Sequence, residues 1–220
     1  LLGRNLDNLE ATKKMLKNPE QHQCQSCDIR SSGEIRQALA NVSSLYALIA
    51  NAGIGGENQY GEQDRWREII DTNLTGTYQT IHECLPLIKK NSAPFKKIII
   101  ISSILARLGV PGYSGYCASK AGLLGLTRSL AGELSGDGIL VNALCPGWVD
   151  TEMAQEGLQG FADALKVSKD EAYKEAMKQV PLGKMSKPEE VAQLVAFLIS
   201  EEQTSFTGQT LDINNGALMP

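Results

Sequence analysis

The sequence predicts an α/β fold, a doubly wound parallel sheet with helices on both faces, in a single domain spanning residues 1–220. Three observations predict it. Short apolar runs at residues 45–49 and 139–145 alternate with longer helix-forming stretches, the order in which crossover helices cover a parallel sheet. The run Ile98-Ile99-Ile100-Ile101 has no polar alternation, as a strand buried on both faces requires. No internal repeat, low-complexity tract or linker marks a second domain.

Taken in order, residues 6–17 have helical composition and stop at Asn18-Pro19. Residues 21–28 read as a short strand ending at Asp28. Ser31-Ser32-Gly33-Glu34 combines a capping serine with an acid in the first turn, and starts a helix to about residue 41. The strand at 45–49 runs into a glycine-rich turn, Asn51-Ala52-Gly53-Ile54-Gly55-Gly56. Residues 63–73 are amphipathic, and the helix is expected to continue to Lys90 with Pro86 as a kink or break. The isoleucine strand, 97–102, ends at Ser103 and is followed by a loop with Gly109, Pro111 and Gly112. Residues 114–134 form a helix whose Ala118, Ser119, Ala121, Gly122 and Gly125 permit close approach of another element. A turn at Gly136-Asp137-Gly138 leads to the strand at 139–145, closed by Pro146-Gly147. Residues 148–185 are polar, punctuated by glycine and helical in pieces, as in a lid or substrate loop. Pro188-Glu189-Glu190 opens a helix with proline in its first turn and acids near its amino end, and residues 208–213 are the last strand.

A formal charge of −4 with no basic cluster argues against nucleic acid or an anionic membrane surface as the main partner. No apolar stretch reaches the length of a membrane span. The five cysteines are scattered and odd in number, which suits reduced thiols in a cytoplasmic protein better than a disulfide framework. Cys24 and Cys27 form a C-x-x-C, but no second pair or nearby histidine completes a zinc set, and no metal is expected.

The chemistry centres on Tyr116 and Lys120, four residues apart and so on one face of a helix. Such pairs also occur as a surface ring beside a solvated ammonium. The functional reading is that the ammonium favours the phenolate and lowers a pKa that is ordinarily about 10. Bringing it near 7 takes roughly 4 kcal/mol, which a single ammonium supplies only in a partly desolvated site. Ser103 stands thirteen positions before Tyr116, at the carboxyl end of a buried strand, where open α/β sheets bind ligands.

Five motifs then fall in register: Asn51-Ala52-Gly53 after a strand, Asn73-Leu74-Thr75-Gly76 in the next helix, Ser103 with Tyr116-x-x-x-Lys120, Pro146-Gly147-x-Val149-x-Thr151, and Thr207-Gly208-Gln209. Their order and spacing resemble the short-chain dehydrogenase/reductase family, in its single-domain Rossmann-like form, over nearly the whole chain. The resemblance implies hydride transfer between a nicotinamide cofactor and a ketone or secondary alcohol. It makes Tyr116 the proton donor or acceptor, Lys120 its pKa partner and ribose ligand, Ser103 the stabiliser of the substrate oxygen, and Asn73 the anchor of a water linked to Lys120. It sets Asn51, Ala52 and Gly53 beside the adenosine half, Asp28 and Ile29 against the adenine, and Pro146, Gly147, Val149 and Thr151 by the nicotinamide. Arg4, after the first strand-like residues, resembles NADP-preferring members, because arginine can pair with a 2′-phosphate. NADP(H) is therefore favoured, with NAD(H) possible.

The family's glycine-rich pyrophosphate turn has no counterpart in these residues, and a first strand and first helix are expected upstream of Leu1. A chain beginning at Leu1 is expected neither to fold as a stable monomer nor to bind a dinucleotide tightly, because its sheet would expose apolar edges. Residues 148–185, with Val180-Pro181-Leu182-Gly183-Lys184, resemble stretches of 3-oxoacyl reductases and polyketide ketoreductases. Asp137 stands where carrier-dependent reductases often hold a basic residue, which makes acyl-carrier protein a doubtful partner. The leading expectation is a carbonyl or 3-oxoacyl-type reductase assembled as a homodimer or homotetramer. Its alternatives are an NAD-dependent hydroxy-acid or alcohol dehydrogenase and a non-catalytic nucleotide-binding member of the family.

Overall fold

The computed structural model describes residues 1–219. Its strands are β1 (Leu2–Gly3), β2 (Gln25–Ser26), β3 (Ala47–Ala50), β4 (Lys96–Ile101), β5 (Ile139–Pro146) and β6 (Thr210–Ile213). The helices are α1 (Leu6–Met15), α2 (Ser32–Ala38), α3 (Trp66–Ile70), α4 (Gly76–Lys90), α5 (Ser114–Leu134), α6 (Glu152–Leu165), α7 (Lys169–Met177) and α8 (Pro188–Ile199). All strand pairs are parallel. The predicted α/β class is correct, with one difference in the sheet. Four strands run in the order β3-β4-β5-β6, while β1 and β2 pair separately.

The isoleucine run explains the layering. Ile98, Ile99 and Ile100 are fully buried, and alternate residues face opposite sides. Ile98 and Ile100 pack with Val141, Ala143, Ile81, Ile88, Leu123 and Leu130, so α4 and α5 cover one face. Ile99 packs with Leu144 and Leu198, and α8 covers the other face through Val191, Leu194 and Val195. Each such side chain contributes roughly 1.5–3 kcal/mol on burial, which is why β4 and β5 form the stable centre. Alignment of Ile98 with Val141 and Ile101 with Leu144 sets the carboxyl ends of these strands side by side.

Three local expectations are corrected. The strand foreseen at 21–28 is only Gln25–Ser26, because Pro19–Gln21 forms a 3-10 turn that delays its start. Pro86 does not break its helix, which runs unbroken through Gly76–Lys90; proline forfeits one hydrogen bond, and buried Ile81, Cys84 and Ile88 hold the segment down. The amphipathic run expected from residue 63 starts at Trp66 and passes through a π-helical segment, Asp71–Thr75, before α4.

Among the described residues, β3 has no strand on its outer edge. Ile49 there is 40% exposed, and an apolar groove runs past it between Ile101, Val191 and Val195. No described helix is long and apolar enough to cross a membrane.

Candidate active site

The site is assembled at the carboxyl ends of β3, β4 and β5, where Asn51, Ser103 and Pro146 lie, with α5 crossing behind them. Ser103 is buried in extended backbone just past β4, and its hydroxyl accepts a hydrogen bond from the Leu105 N–H at 3.1 Å. Tyr116 lies in the first turn of α5 and is half-buried. Burial pushes its phenol above the ordinary value, while a hydrogen bond with the Ser103 side chain pulls the other way.

Lys120, one turn further on, is buried at 6% exposure. Its Nζ lies 5.6 Å from the Tyr116 ring centroid and donates to the Ile101 carbonyl at 3.0 Å. Burial depresses its pKa to about 8, with the Cys145 thiol acting weakly in the opposite direction. In this structure burial is the largest influence on the Tyr116 phenol and acts to raise its pKa, opposite to the lowering expected from the ammonium.

Asn73 occupies the π-helical segment and is 1% exposed. Its Oδ1 accepts from the Ile54 N–H at 2.8 Å, and its Nδ2 donates to the Ile54 carbonyl at 2.9 Å and to Ser119 Oγ at 3.2 Å. Its amide thus ties the turn after β3 to α5. Gly53 sits between these groups, and a Cβ there would lie 3.1 Å from Asn73 Oδ1 and 3.5 Å from Lys120 Nζ. Its φ is not in the left-handed region. The glycine is required for clearance beside the lysine, not for backbone freedom.

The other predicted positions surround this centre. Asn51 and Ala52 are exposed at the end of β3. Asp28 forms a 2.5 Å ion pair with Arg30 and accepts the Arg30 backbone N–H at 2.9 Å. It borders a polar pocket of about 510 Å³ with Arg30, Ser31, Asp71 and Thr75. The Arg30 hydrogen bond, helped by nearby Arg4, holds the Asp28 carboxyl below the usual range. Ile29 is buried and packs on Gly76. Gly147 is forced by close approach, since a Cβ there would meet the Asn214 side chain at 2.9 Å and its Cα at 3.0 Å. Val149 bridges to Ser186, and Thr151 caps α6. That helix and α7 share a small core of Leu158, Ala162, Ala172 and Met177. Met153 of α6 lies against Gly55, so this layer meets the turn after β3.

Two serines have supporting hydrogen bonds that the sequence reading missed, although it named Ser119 as a small packing residue. Ser102 Oγ donates to the Lys120 carbonyl at 2.8 Å, and Ser119 Oγ donates to the Tyr116 carbonyl at 2.8 Å. Each adjoins a chosen residue in sequence, and that adjacency was the available signal.

A parallel sheet that presents a serine, a tyrosine and a buried lysine at its carboxyl edge defines an NAD(P)-dependent oxidoreductase. The chain belongs to the short-chain dehydrogenase/reductase family, and the resemblance read from its motifs is borne out. A family model described as Enoyl-(Acyl carrier protein) reductase matches residues 2–217. The 3-oxoacyl-acyl-carrier-protein reductase of Rickettsia conorii is 34% identical over 220 residues, covering 99% of this chain and 85% of that protein. A putative ketoacyl reductase of Streptomyces coelicolor is 35% identical over 197 residues, 87% of this chain and 76% of that protein. Among solved structures, an actinorhodin polyketide ketoreductase variant with NADPH superposes with a TM-score of 0.91 at 33% identity, covering 98% of this chain and 85% of the other. A Brucella melitensis short-chain dehydrogenase/reductase gives 0.86 at 27% identity, covering 100% and 86%.

Proposed function

We propose that the protein reduces a ketone, of the 3-oxoacyl type or a related small or medium β-keto compound, with NADPH as the favoured cofactor. The observation that carries this reading is the Ser103–Tyr116–Lys120 group, in which Ser103 and Lys120 are buried, Tyr116 is half-buried and the Lys120 ammonium lies 5.6 Å from the Tyr116 ring. A protonated phenol beside a serine hydroxyl and an ammonium can give its proton to a carbonyl oxygen, the role that ketone reduction needs.

The residues fit the adenosine, ribose and nicotinamide parts of a dinucleotide, while the glycine-rich turn for its pyrophosphate is not among them. Gly53 leaves room beside the Lys120 ammonium for ribose hydroxyls, and the polar pocket at Asp28, Ser31 and Thr75 suits an adenosine edge. Arg4 and Arg30 lie by Asp28 and temper its repulsion of a 2′-phosphate. Pro146 and Gly147 close the nicotinamide side. When bound, the nicotinamide supplies the hydride, which no side chain can donate. Tyr116 delivers its hydroxyl proton to the carbonyl oxygen as negative charge develops there. Ser103 donates a hydrogen bond to the same oxygen. The Lys120 ammonium stabilises the phenolate left on Tyr116, and Asn73 fixes the backbone that leaves space for Lys120. The layer formed by α6 and α7 acts as the lid over this chemistry, excluding water.

The two named reductase relatives support a β-keto acyl thioester as substrate class. Asp137 is paired with Lys89 at 2.7 Å, and an acidic residue at this turn keeps acyl-carrier protein a doubtful partner. All five cysteines are free thiols, in keeping with a cytoplasmic setting, and a homodimer or homotetramer remains part of the proposal. The test follows nicotinamide absorbance with NADPH and NADH against β-keto thioesters and simple ketones, for the parent and Tyr116→Phe. Loss of about 10²- to 10⁴-fold in kcat is expected for the variant. Full activity of Tyr116→Phe on a substrate the parent reduces would sink the assignment.

A further inference from the structure

The turn after β3 reaches across to the helix that carries Tyr116 and Lys120, and it does so through one buried side chain. Asn58 is 7% exposed. Its Oδ1 accepts the Gly115 N–H at 2.8 Å and the Ser114 hydroxyl at 3.2 Å. Its Nδ2 donates to Asp64 Oδ1 at 3.3 Å, and its backbone N–H donates to the Gly112 carbonyl at 2.8 Å. Asp64 Oδ1 in turn accepts the Trp66 N–H at 2.9 Å, at the start of α3.

Each link has a physical reason. The first N–H groups of a helix have no partner within the helix, and Tyr113, which precedes α5, provides no side-chain cap. Asn58 supplies the missing acceptor from another segment. Gly115 permits this approach, since a Cβ there would lie 3.3 Å from Asn58 Oδ1 and 3.5 Å from the Trp66 ring. The amide orientation is fixed by its neighbours, because the oxygen meets two donors and the nitrogen meets a carboxylate.

We infer that Asn58 is a positioning residue for the proton-transfer step, setting the first turn of α5, and with it Tyr116, against the segment that holds Asn73. The inference rests on Tyr116 as proton donor. Gly115 immediately precedes Tyr116, so a shift at Gly115 N is passed directly to the catalytic ring. The same side chain holds Asp64 at the start of α3, which continues into the π-helical segment with Asn73. Asn58 therefore fixes the entry of both segments that meet at Ser119. It touches none of the groups placed in the reaction.

Two substitutions separate positioning from general support of the fold. Asn58→Ala removes the acceptor, and kcat for ketone reduction is expected to fall about 10- to 100-fold, the range for a misplaced catalytic group. KM for NADPH should change little. Asn58→Asp keeps the shape and the acceptor but sets a second carboxylate against Asp64. Glu57, Tyr60, Glu62, Arg65 and Tyr113 are the other ionisable neighbours in sequence on the two segments. Two carboxylates so close share a proton as pH falls, and that proton restores the bridging hydrogen bond. The ratio of variant to parent kcat should therefore rise several-fold as pH falls from about 8 to about 5, a trend that a loss of folded protein would not produce. Should Asn58→Ala fold poorly, the pH ratio of Asn58→Asp decides alone. If Tyr116→Phe is inactive while Asn58→Asp stays within about twofold of the parent at every pH, the positioning role is wrong and the functional reading stands. If Tyr116→Phe is active, the functional reading fails first.

Discussion

Replacing Lys120 by methionine should make the protein more stable and inactive. The ammonium is buried with one hydrogen bond, to the Ile101 carbonyl. The fall of its pKa from 10.5 to about 8 corresponds to roughly 3 kcal/mol of stability forgone near pH 7, at about 1.4 kcal/mol per pH unit. Methionine has similar length and no charge, but it leaves the Ile101 carbonyl without its donor, at about 1–2 kcal/mol. The net expectation is a gain of about 1–2 kcal/mol near pH 7, or roughly 2–8 °C in Tm for a chain of this size. The pH dependence carries the sign. Between about 8 and 10.5 the unfolded lysine still holds its proton and the folded one does not, so parental stability rises with pH across that window. The advantage of Lys120→Met should shrink and then reverse as pH climbs through it. Urea unfolding of both proteins at several pH values, with kcat measured alongside, tests this. A variant less stable than the parent near pH 7, or a stability difference flat in pH, would refute the reasoning.

Two further outcomes are expected. Gly53→Ala drives a methyl towards Asn73 Oδ1 and Lys120 Nζ; kcat should fall at least about tenfold with a stability loss of about 1–2 kcal/mol, read by initial rates and thermal unfolding. Asp28→Asn removes a partly exposed ion pair with Arg30 and should cost no more than about 1 kcal/mol near pH 7. Because the folded carboxyl pKa is lowered, that stabilisation is present above the unfolded value of about 4 and lost as pH falls through the folded value, so parent and variant should converge in acid.

Much of the site was legible because its residues follow strong periodic signals. Ser103 ends an unmistakable buried strand, and the helix at 114–134 was placed with the bounds Ser114–Leu134. The tyrosine–lysine spacing needs only helical geometry. Three features were not legible for physical reasons. The direction of the Tyr116 pKa depends on total burial, which a four-residue spacing does not encode. The π-helical register around Asn73 changes hydrogen bonding without changing composition. Asn58 acts on α5 from 57 positions away, through a loop with no periodicity to read. The separate pairing of β1 with β2 was not foreseen either, since the sequence reading placed every strand in one sheet.

The π-helical segment also ties the function to chain length. A π-helical turn is an α-helix carrying one residue too many, and here the Gly76 N–H reaches back five residues to the Asp71 carbonyl. Deleting one residue from Asp71–Thr75 would return the ladder to ordinary α spacing and strengthen it locally. The same deletion would rotate what precedes it by about 100° relative to α4, unseating either Asn73 or the whole of α3. Substitution scanning cannot reach this coupling, since no exchange of side chains alters the residue count. In this segment the helix would be better formed without the extra residue, while the proposed position of Asn73 depends on keeping it.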